Sequence, residues 1–470
     1  MFARRWSVAV LFLPAALLAS AGQTGTDAFN PKFQSALAHF NSGQYTAAQQ
    51  ELEPLVKALP SSFEVQELLG LVYSAEGHEE KATGPFEQAV RLRPGSGEAR
   101  NNLATNLARL GKMSLAEKEF KEVVKLEPES FDANRNLGAF YLRAGRIAAA
   151  IPYLEKAHSE NLASYDNDYD LALAYEHEGR LPEARRQIQG LLKQKDAAEL
   201  HNLLAGVEEK ARNYVVAVNE YEKAAHLEPS ESNLFDWGGE LLAHQNPEAA
   251  IAVFSEGLKR YPGSPRMALG LGLALDVRGK YDDAVKALLR GIDLDPSDAR
   301  AYYFLSKAYD RAPRLADEVV ECFHRFSDLR PKDAQATLYY AISMWKGRRS
   351  ETSQAYLDRV ESLLRKAIAI DPSFPEAHLQ LGNLYSQRHL YAEAVPEYQE
   401  ALRLSPYVPD AHFRLGQAYA HLGKKDLAEK EFQLHKQLYE QHLAEVDKQR
   451  SEIQQFVYSM KGEQKIETGK

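Results

Sequence analysis

Residue types that commonly carry catalysis or bind metals are sparse and poorly spaced in this chain. Its 14 histidines never stand three or four residues apart, so no helix would present an imidazole pair to a metal ion. Gly270 and Gly272 could begin a dinucleotide-binding loop, but the third glycine is missing. Neither a Gly-x-x-x-x-Gly-Lys-Ser/Thr phosphate loop nor a Gly-x-Ser-x-Gly nucleophile motif is present. We therefore predict that the protein is not an enzyme and uses no metal or cofactor.

Charge and cysteine content narrow the partner classes. The formal net charge of −9 argues against general binding to nucleic acid or to anionic membranes. The single cysteine, Cys322, cannot form an internal disulfide, and we expect it to be a small buried residue of a helix. The 44% hydrophobic content is sufficient to build a buried core.

The first 21 residues have the form of a secretion signal. Arg4 and Arg5 precede an apolar run from Val8 to Leu18, and the small residues Ala19, Ser20 and Ala21 follow it. This run is short for a membrane span. We predict cleavage after Ala21 and a periplasmic or secreted location without a remaining membrane span, with an uncleaved N-terminal anchor as the alternative.

A repeat of about 34 residues dominates the rest of the sequence. Prolines recur mostly at intervals of 33 to 35 residues, at Pro60, Pro94, Pro128, Pro229, Pro262, Pro296, Pro331, Pro372 and Pro406. Between these prolines, Leu69, Gly70, Tyr73, Ala82, Phe86 and Ala89 reappear in the same order as Leu381, Gly382, Tyr385, Ala394, Tyr398 and Ala401. This pattern resembles the tetratricopeptide repeat, and we identify the chain with an exported bacterial type of that family. The resemblance implies an all-α fold, a right-handed α-solenoid (superhelix) of helix-turn-helix repeats.

Small residues mark two positions in each repeat. The eighth place holds glycine or alanine, as in Gly70 and Gly138, which lets the two helices of a repeat approach closely. The fifteenth place is often glycine, as in Gly111 and Gly145, and we expect a left-handed residue there that ends the first helix. Gly270 and Gly272 lie on a helix in this register, which favours a packing role for both.

The repeat register predicts the domain organisation. We assign a signal peptide at 1–21, repeats one to eight at 29–298, two irregular repeats at 299–372 with an insertion near 345–354, repeats eleven and twelve at 375–440, a C-terminal capping helix at 441–460 and a disordered tail at 461–470. The insertion is either a longer turn or a binding loop. The capping helix has a coiled-coil dimer seam as its alternative.

The resemblance also implies where a partner would bind. In the family, the first helix of each repeat lines the inside of the superhelix and reaches ligand. Repeats three and four have the clearest set of polar residues at such places. They are Asn101, Asn102, Arg109, Arg135, Asn136 and Arg143. Because an amide both donates and accepts hydrogen bonds, Asn102 and Asn136 would suit an extended peptide. The alternative is that they face a water-lined groove without binding anything.

These observations leave two functions open. The first is an exported scaffold that binds a protein or peptide partner in its concave groove. The second is a subunit of an envelope machine for polysaccharide or protein export, where the repeats dock a glycosyltransferase or a secretion component.

Overall fold

The computed structural model describes residues 31–347, 353–407 and 409–440. These residues form helices and turns, with no strand among them, and the prediction of an all-α fold is confirmed. The chain divides into two compact units, the N-terminal unit (1–211) and the C-terminal unit (212–470). The predicted signal peptide, residues 348–352 of the predicted insertion, the predicted capping helix and the predicted tail lie outside the described residues.

The N-terminal unit contains eleven described helices, which pack in chain order. They are α1 (Pro31–Asn41), α2 (Tyr45–Ala58), α3 (Phe63–Ala75), α4 (Glu79–Leu92), α5 (Gly97–Arg109), α6 (Met113–Leu126), α7 (Phe131–Arg143), α8 (Ile147–Glu160), α9 (Tyr165–His177), α10 (Leu181–Gln194) and α11 (Ala198–Lys210). Each helix contacts its chain neighbours, and first helices of consecutive repeats, such as α3 and α5, also touch directly. This nearest-neighbour packing is that of a solenoid.

The C-terminal unit continues with the same alternation. Its described helices are α12 (Tyr214–Leu227), α13 (Glu231–Ala243), α14 (Pro247–Arg260), α15 (Pro265–Val277), α16 (Tyr281–Leu294), α17 (Ala299–Ala308), α18 (Ala316–Leu329), α19 (Ala334–Gly347), α20 (Gln354–Ile370), α21 (Pro375–Gln387), α22 (Tyr391–Leu404) and α23 (Pro409–His421). A further helical stretch covers 425–440.

Serine precedes six of the described first helices. Its side chain accepts a hydrogen bond from the backbone N–H three residues later, which satisfies one of the free donors at a helix start. The serines with this contact are Ser62, Ser96, Ser130, Ser164, Ser230 and Ser264. The local sequence therefore favours the observed start of these six first helices.

The fifteenth place of the repeat has a left-handed backbone, as the sequence predicts. Its φ is positive at Gly43, Gly77, Gly111, Gly145, Gly179, Gly279 and Gly423. Three repeats keep this conformation without glycine, with φ of 62° at Arg212, 57° at Gln245 and 59° at His389. The turn geometry therefore belongs to the repeat rather than to glycine itself.

Glycine at the eighth place creates the space for one large side chain of the second helix. A Cβ on Gly70 would lie 2.6 Å from the Phe86 ring, and one on Gly138 would lie 2.7 Å from Leu154. The same clash, at 2.7 to 2.8 Å, would arise between Gly238 and Phe254, Gly272 and Leu288, Gly382 and Tyr398, and Gly416 and Phe432. These contacts bring the two helices of a repeat together.

Repeat nine departs from the regular form because Pro313 occupies its fifteenth place. Proline holds φ near −65° and cannot adopt the left-handed conformation. Helix α17 ends after 10 residues, and two short 3₁₀ turns, Tyr309–Arg311 and Pro313–Leu315, replace the usual turn. In the next repeat, α20 is 17 residues long, whereas most second helices have 14. Both departures lie within the predicted irregular segment.

Candidate functional site

The six predicted groove residues lie on two first helices of the N-terminal unit. Asn101, Asn102 and Arg109 belong to α5, and Arg135, Asn136 and Arg143 belong to α7. Ser96 and Ser130 cap these helices, so equivalent residues stand at equal distances from the two helix starts. We call the surface that α3, α5 and α7 form with these positions the inner face.

The side chain of Asn102 forms a hydrogen bond within the protein. Its amide Nδ2 donates to Oε1 of Glu67 on α3 at 2.5 Å, and both residues are buried. Glu67 is 1% exposed, and its other carboxylate oxygen, Oε2, has no hydrogen-bond partner among the described residues. The pKa of Glu67 is raised to about 7, chiefly by desolvation. The hydrogen bond from Asn102 opposes this shift, and the nearby Glu98 adds to it. Asn102 therefore ties α5 to α3.

Asn101 is buried without such a contact. Its side-chain oxygen Oδ1 makes no hydrogen bond within the described part of the chain, although the residue is only 7% exposed. Glu98, one helical turn earlier on α5, is half-buried, and desolvation raises the pKa of its carboxyl group. Buried polar atoms are nearly always paired in native proteins, so Asn101 marks an incomplete polar site.

Arg109 forms part of a recurring contact between the ends of first helices. Its guanidinium donates to Oγ of Ser74 on α3 at 3.0 Å and lies 3.9 Å from Oε1 of Glu79. The same place of the repeat makes such a contact in two other repeats, Lys210 with Glu176 at 2.5 Å and Arg311 with Asp276 at 2.7 Å. Arg109 thus has a structural role that the sequence did not reveal.

Arg135, Asn136 and Arg143 face the same region from α7. Arg135 lies 3.8 Å from Oδ2 of the exposed Asp166, which is a loose ion pair. Asn136 is partly exposed. The pKa of Arg143 is lowered to about 10, chiefly by desolvation and also by the like charges of Arg135 and Arg109, whereas Asp170 opposes the shift. Arg143 therefore remains a cation at neutral pH.

The structure therefore divides the predicted residues into two groups. Asn102 and Arg109 join repeats to one another, whereas Arg135, Asn136 and Arg143 retain accessible polar atoms. The two carboxyl groups beside the asparagines, Glu67 and Glu98, were not predicted as site residues. A glutamate at the fifth place of one repeat, followed by asparagine at the sixth place of the next, is the signal that could have found the Glu67–Asn102 pair.

Two other residues that the sequence singled out, Cys322 and Gly270, are explained by packing. Cys322 is 1% exposed, and burial raises the pKa of its thiol to about 12, so the unreactive thiol form prevails. A Cβ on Gly270 would lie 2.6 Å from the Phe254 ring, which explains this glycine by helix packing. No group of three or more metal-ligating side chains occurs in 31–347, 353–407 and 409–440. None of the helices in these ranges combines the length and apolar character that a bilayer crossing requires.

These features define a class of protein: an α-solenoid of two-helix repeats whose first helices carry a polar inner face. A family model described as Tetratricopeptide repeat matches residues 33–97, 101–163 and 379–442, and a second model of that description matches 141–207 and 241–308. Together the two models span more than half of the sequence. The chain belongs to the tetratricopeptide repeat family.

Solved structures of this family resemble the chain at low sequence identity. The yeast Tom70 structure shares 15% identity with the chain, with a TM-score of 0.37, and the match covers 93% of this chain and 96% of that one. A tetratricopeptide repeat protein from Parabacteroides merdae shares 17% identity, with a TM-score of 0.38, over 52% of this chain and 97% of that one. YrrB, described as a TPR protein with an unusual peptide-binding site, shares 17% identity, with a TM-score of 0.36, over 39% and 94%. No curated protein matches the sequence significantly. At these values the comparison carries no information about a partner.

Proposed function

We propose that the chain is an exported scaffold that binds a segment of a partner protein on the inner face formed by α3, α5 and α7. One observation carries the proposal: Arg135, Asn136 and Arg143 on α7 are partly or fully exposed, so a partner can reach these polar side chains. The like charges of Arg135 and Arg109 disfavour the charge on Arg143, and Asp170 opposes this effect. A partner that supplies carbonyl or carboxylate acceptors would offset this repulsion.

The binding test compares two pairs of substitutions with the same change in charge. Arg135→Ala/Arg143→Ala removes two cations from the inner face, and Lys118→Ala/Lys125→Ala removes two exposed cations from α6. Crosslinking in the native host, followed by affinity purification, identifies partners of the unaltered chain. We expect the arginine pair to reduce recovery of a specific partner at least about tenfold, as for loss of buried charged contacts, and the lysine pair to leave it unchanged. Equal recovery with both variants would contradict binding on the inner face.

Export has a separate test. Fractionation should place the protein outside the cytoplasm, and N-terminal sequencing of the mature chain should begin at Gly22, because the small residues before it suit signal peptidase. A cytoplasmic chain that retains Met1 to Ala21 would refute export. The alternative form of the function, a subunit of an envelope export machine, would show a glycosyltransferase or secretion component among the crosslinked partners.

A further inference from the structure

The polar cluster around Glu67 contains more acceptors than donors. Asn102 supplies one N–H to Glu67 Oε1, and Glu67 Oε2 and Asn101 Oδ1 remain without a donor in the described part of the chain. Glu98 adds a carboxylate for which no hydrogen bond or ion pair occurs among the described residues. The cluster therefore offers three acceptor groups, from Glu67, Asn101 and Glu98, and no spare cation.

Local helix geometry brings these acceptors together. Glu98 and Asn101 are three residues apart on α5 and so share one face of that helix. The bond from Asn102 holds the Glu67 carboxylate against the same stretch of α5. Glu67 and Glu98 are close enough that the charge on Glu98 raises the pKa of Glu67. Glu98 is half-buried and forms the accessible edge of the cluster, whereas Glu67 forms its buried end.

We propose that Glu67, Asn101 and Glu98 form a site for one primary ammonium group, the side-chain amine of a lysine in the bound partner segment. An ammonium carries three N–H donors and a compact positive charge, which matches three acceptors and two carboxyl groups. This inference rests on the proposed function, since it names one residue type of the segment that the inner face binds. The arginines of α7 would contact other parts of that segment.

The site predicts that binding depends on pH. The groups that face Glu67 are the amide of Asn102 and the carboxyl of Glu98, both on α5. Burial raises the pKa of Glu67 to about 7, so its ionised fraction increases between pH 6 and pH 8. Since the ammonium interacts with the ionised form, affinity should rise over this interval.

The test uses three decapeptide probes with blocked termini. In each probe glycine alternates with a second residue, which is lysine in the first, acetyl-lysine in the second and glutamate in the third. Fluorescence anisotropy with the full-length protein gives the Kd of each at pH 8 and pH 6. At pH 8 we expect the lysine probe to bind at least about tenfold more tightly than the acetyl-lysine probe, as for a charged hydrogen bond. We expect the lysine probe itself to bind more weakly at pH 6 than at pH 8. Glu67→Gln should abolish this pH difference.

A matched pair of variants separates a specific site from general charge attraction. Glu98→Gln removes one carboxylate from the cluster, and Glu80→Gln removes one from an exposed position on α4. Glu98→Gln should weaken the lysine probe about tenfold, and Glu80→Gln less than twofold. Circular dichroism checks that both variants remain folded. Equal weakening by both, or equal binding of the lysine and acetyl-lysine probes, would overturn the ammonium site.

Failure of this inference is distinct from failure of the proposed function. If the glutamate probe binds, and loses affinity only in Arg135→Ala/Arg143→Ala, the inner face binds a segment without a lysine, which refutes the ammonium site alone. The crosslinking comparison of the arginine and lysine pairs tests the inner face itself.

Discussion

Glu67 illustrates how one buried side chain can link the stability of the repeat array to pH. Its carboxyl group is 1% exposed and accepts one hydrogen bond, from Asn102. Burial raises the pKa of Glu67 from 4.5 to about 7, so the folded state favours the protonated form. The stabilising contribution of the proton is fully present below about pH 4.5 and is lost as the pH rises through about 7.

Replacement of Glu67 should remove this dependence. Glu67→Gln keeps an oxygen that can accept from Asn102 and carries no charge. We expect the variant to have a higher free energy of unfolding at pH 8, by up to about 3 kcal/mol, and little change at pH 4.5. Urea unfolding followed by circular dichroism at both pH values measures this, with Glu80→Gln as the control. Parallel pH profiles for Glu67→Gln and the unaltered protein would disprove the linkage.

The turn residue at the fifteenth place gives a second prediction at this scale. Gly145 has a φ of 69° and no atom within 4 Å of an added Cβ, so Gly145→Ala should cost only backbone strain, about 1 kcal/mol. Gln245 bears the same strain at φ 57°, and Gln245→Gly should stabilise by a few tenths to about 1 kcal/mol. Thermal midpoints of the two variants should move in opposite directions, and a shift of the same sign would refute the argument.

At the scale of the element, two neighbouring glycines of α13 separate packing from helix propensity. A Cβ on Gly238 would lie 2.8 Å from the Phe254 ring, whereas one on Gly239 would meet nothing within 4 Å. Gly239→Ala should stabilise by about 1 kcal/mol, because alanine favours a helix interior over glycine. Gly238→Ala gains the same propensity and must displace Phe254, which we expect to cost about 1 to 3 kcal/mol.

Chemical denaturation of this pair provides the measurement. Gly239→Ala should have the higher midpoint and Gly238→Ala the lower one, relative to the unaltered chain. The eighth place is alanine in some repeats, as at Ala104 and Ala172. The expected loss of stability in Gly238→Ala therefore arises from the position of the Phe254 ring and not from alanine itself. A higher midpoint for both variants would show that Phe254 moves without cost.

Element types followed from the sequence more readily than the site did. The repeated glycines, alanines and large residues predict both helices of a repeat, because each position is constrained by its contact with a neighbouring helix. The left-handed turns at Arg212, Gln245 and His389 were not foreseen, since their side chains give no sign of a positive φ. The partner of Asn102 was missed because a single sequence does not show which side chains of two repeats meet.

At the scale of the whole molecule, a repeat array should respond locally to damage. Each repeat is stabilised chiefly by its own packing and by its immediate neighbours. In Gly138→Ala, whose added Cβ would lie 2.7 Å from Leu154, faster amide hydrogen exchange should appear in α7 and α8 and fade within about two repeats. Exchange measured by mass spectrometry tests this. Uniform acceleration along the whole chain would indicate a single cooperative unit instead.

The pairs Ser74–Arg109 and Glu176–Lys210 in the N-terminal unit each join the ends of two consecutive first helices, and Asp276–Arg311 in the C-terminal unit joins α15 to the turn after α17. Within each of the two units, the joined helix ends should therefore resist being pulled apart under tension. Salt screens charges, so it should weaken the Glu176–Lys210 and Asp276–Arg311 ion pairs and affect the Ser74–Arg109 hydrogen bond less.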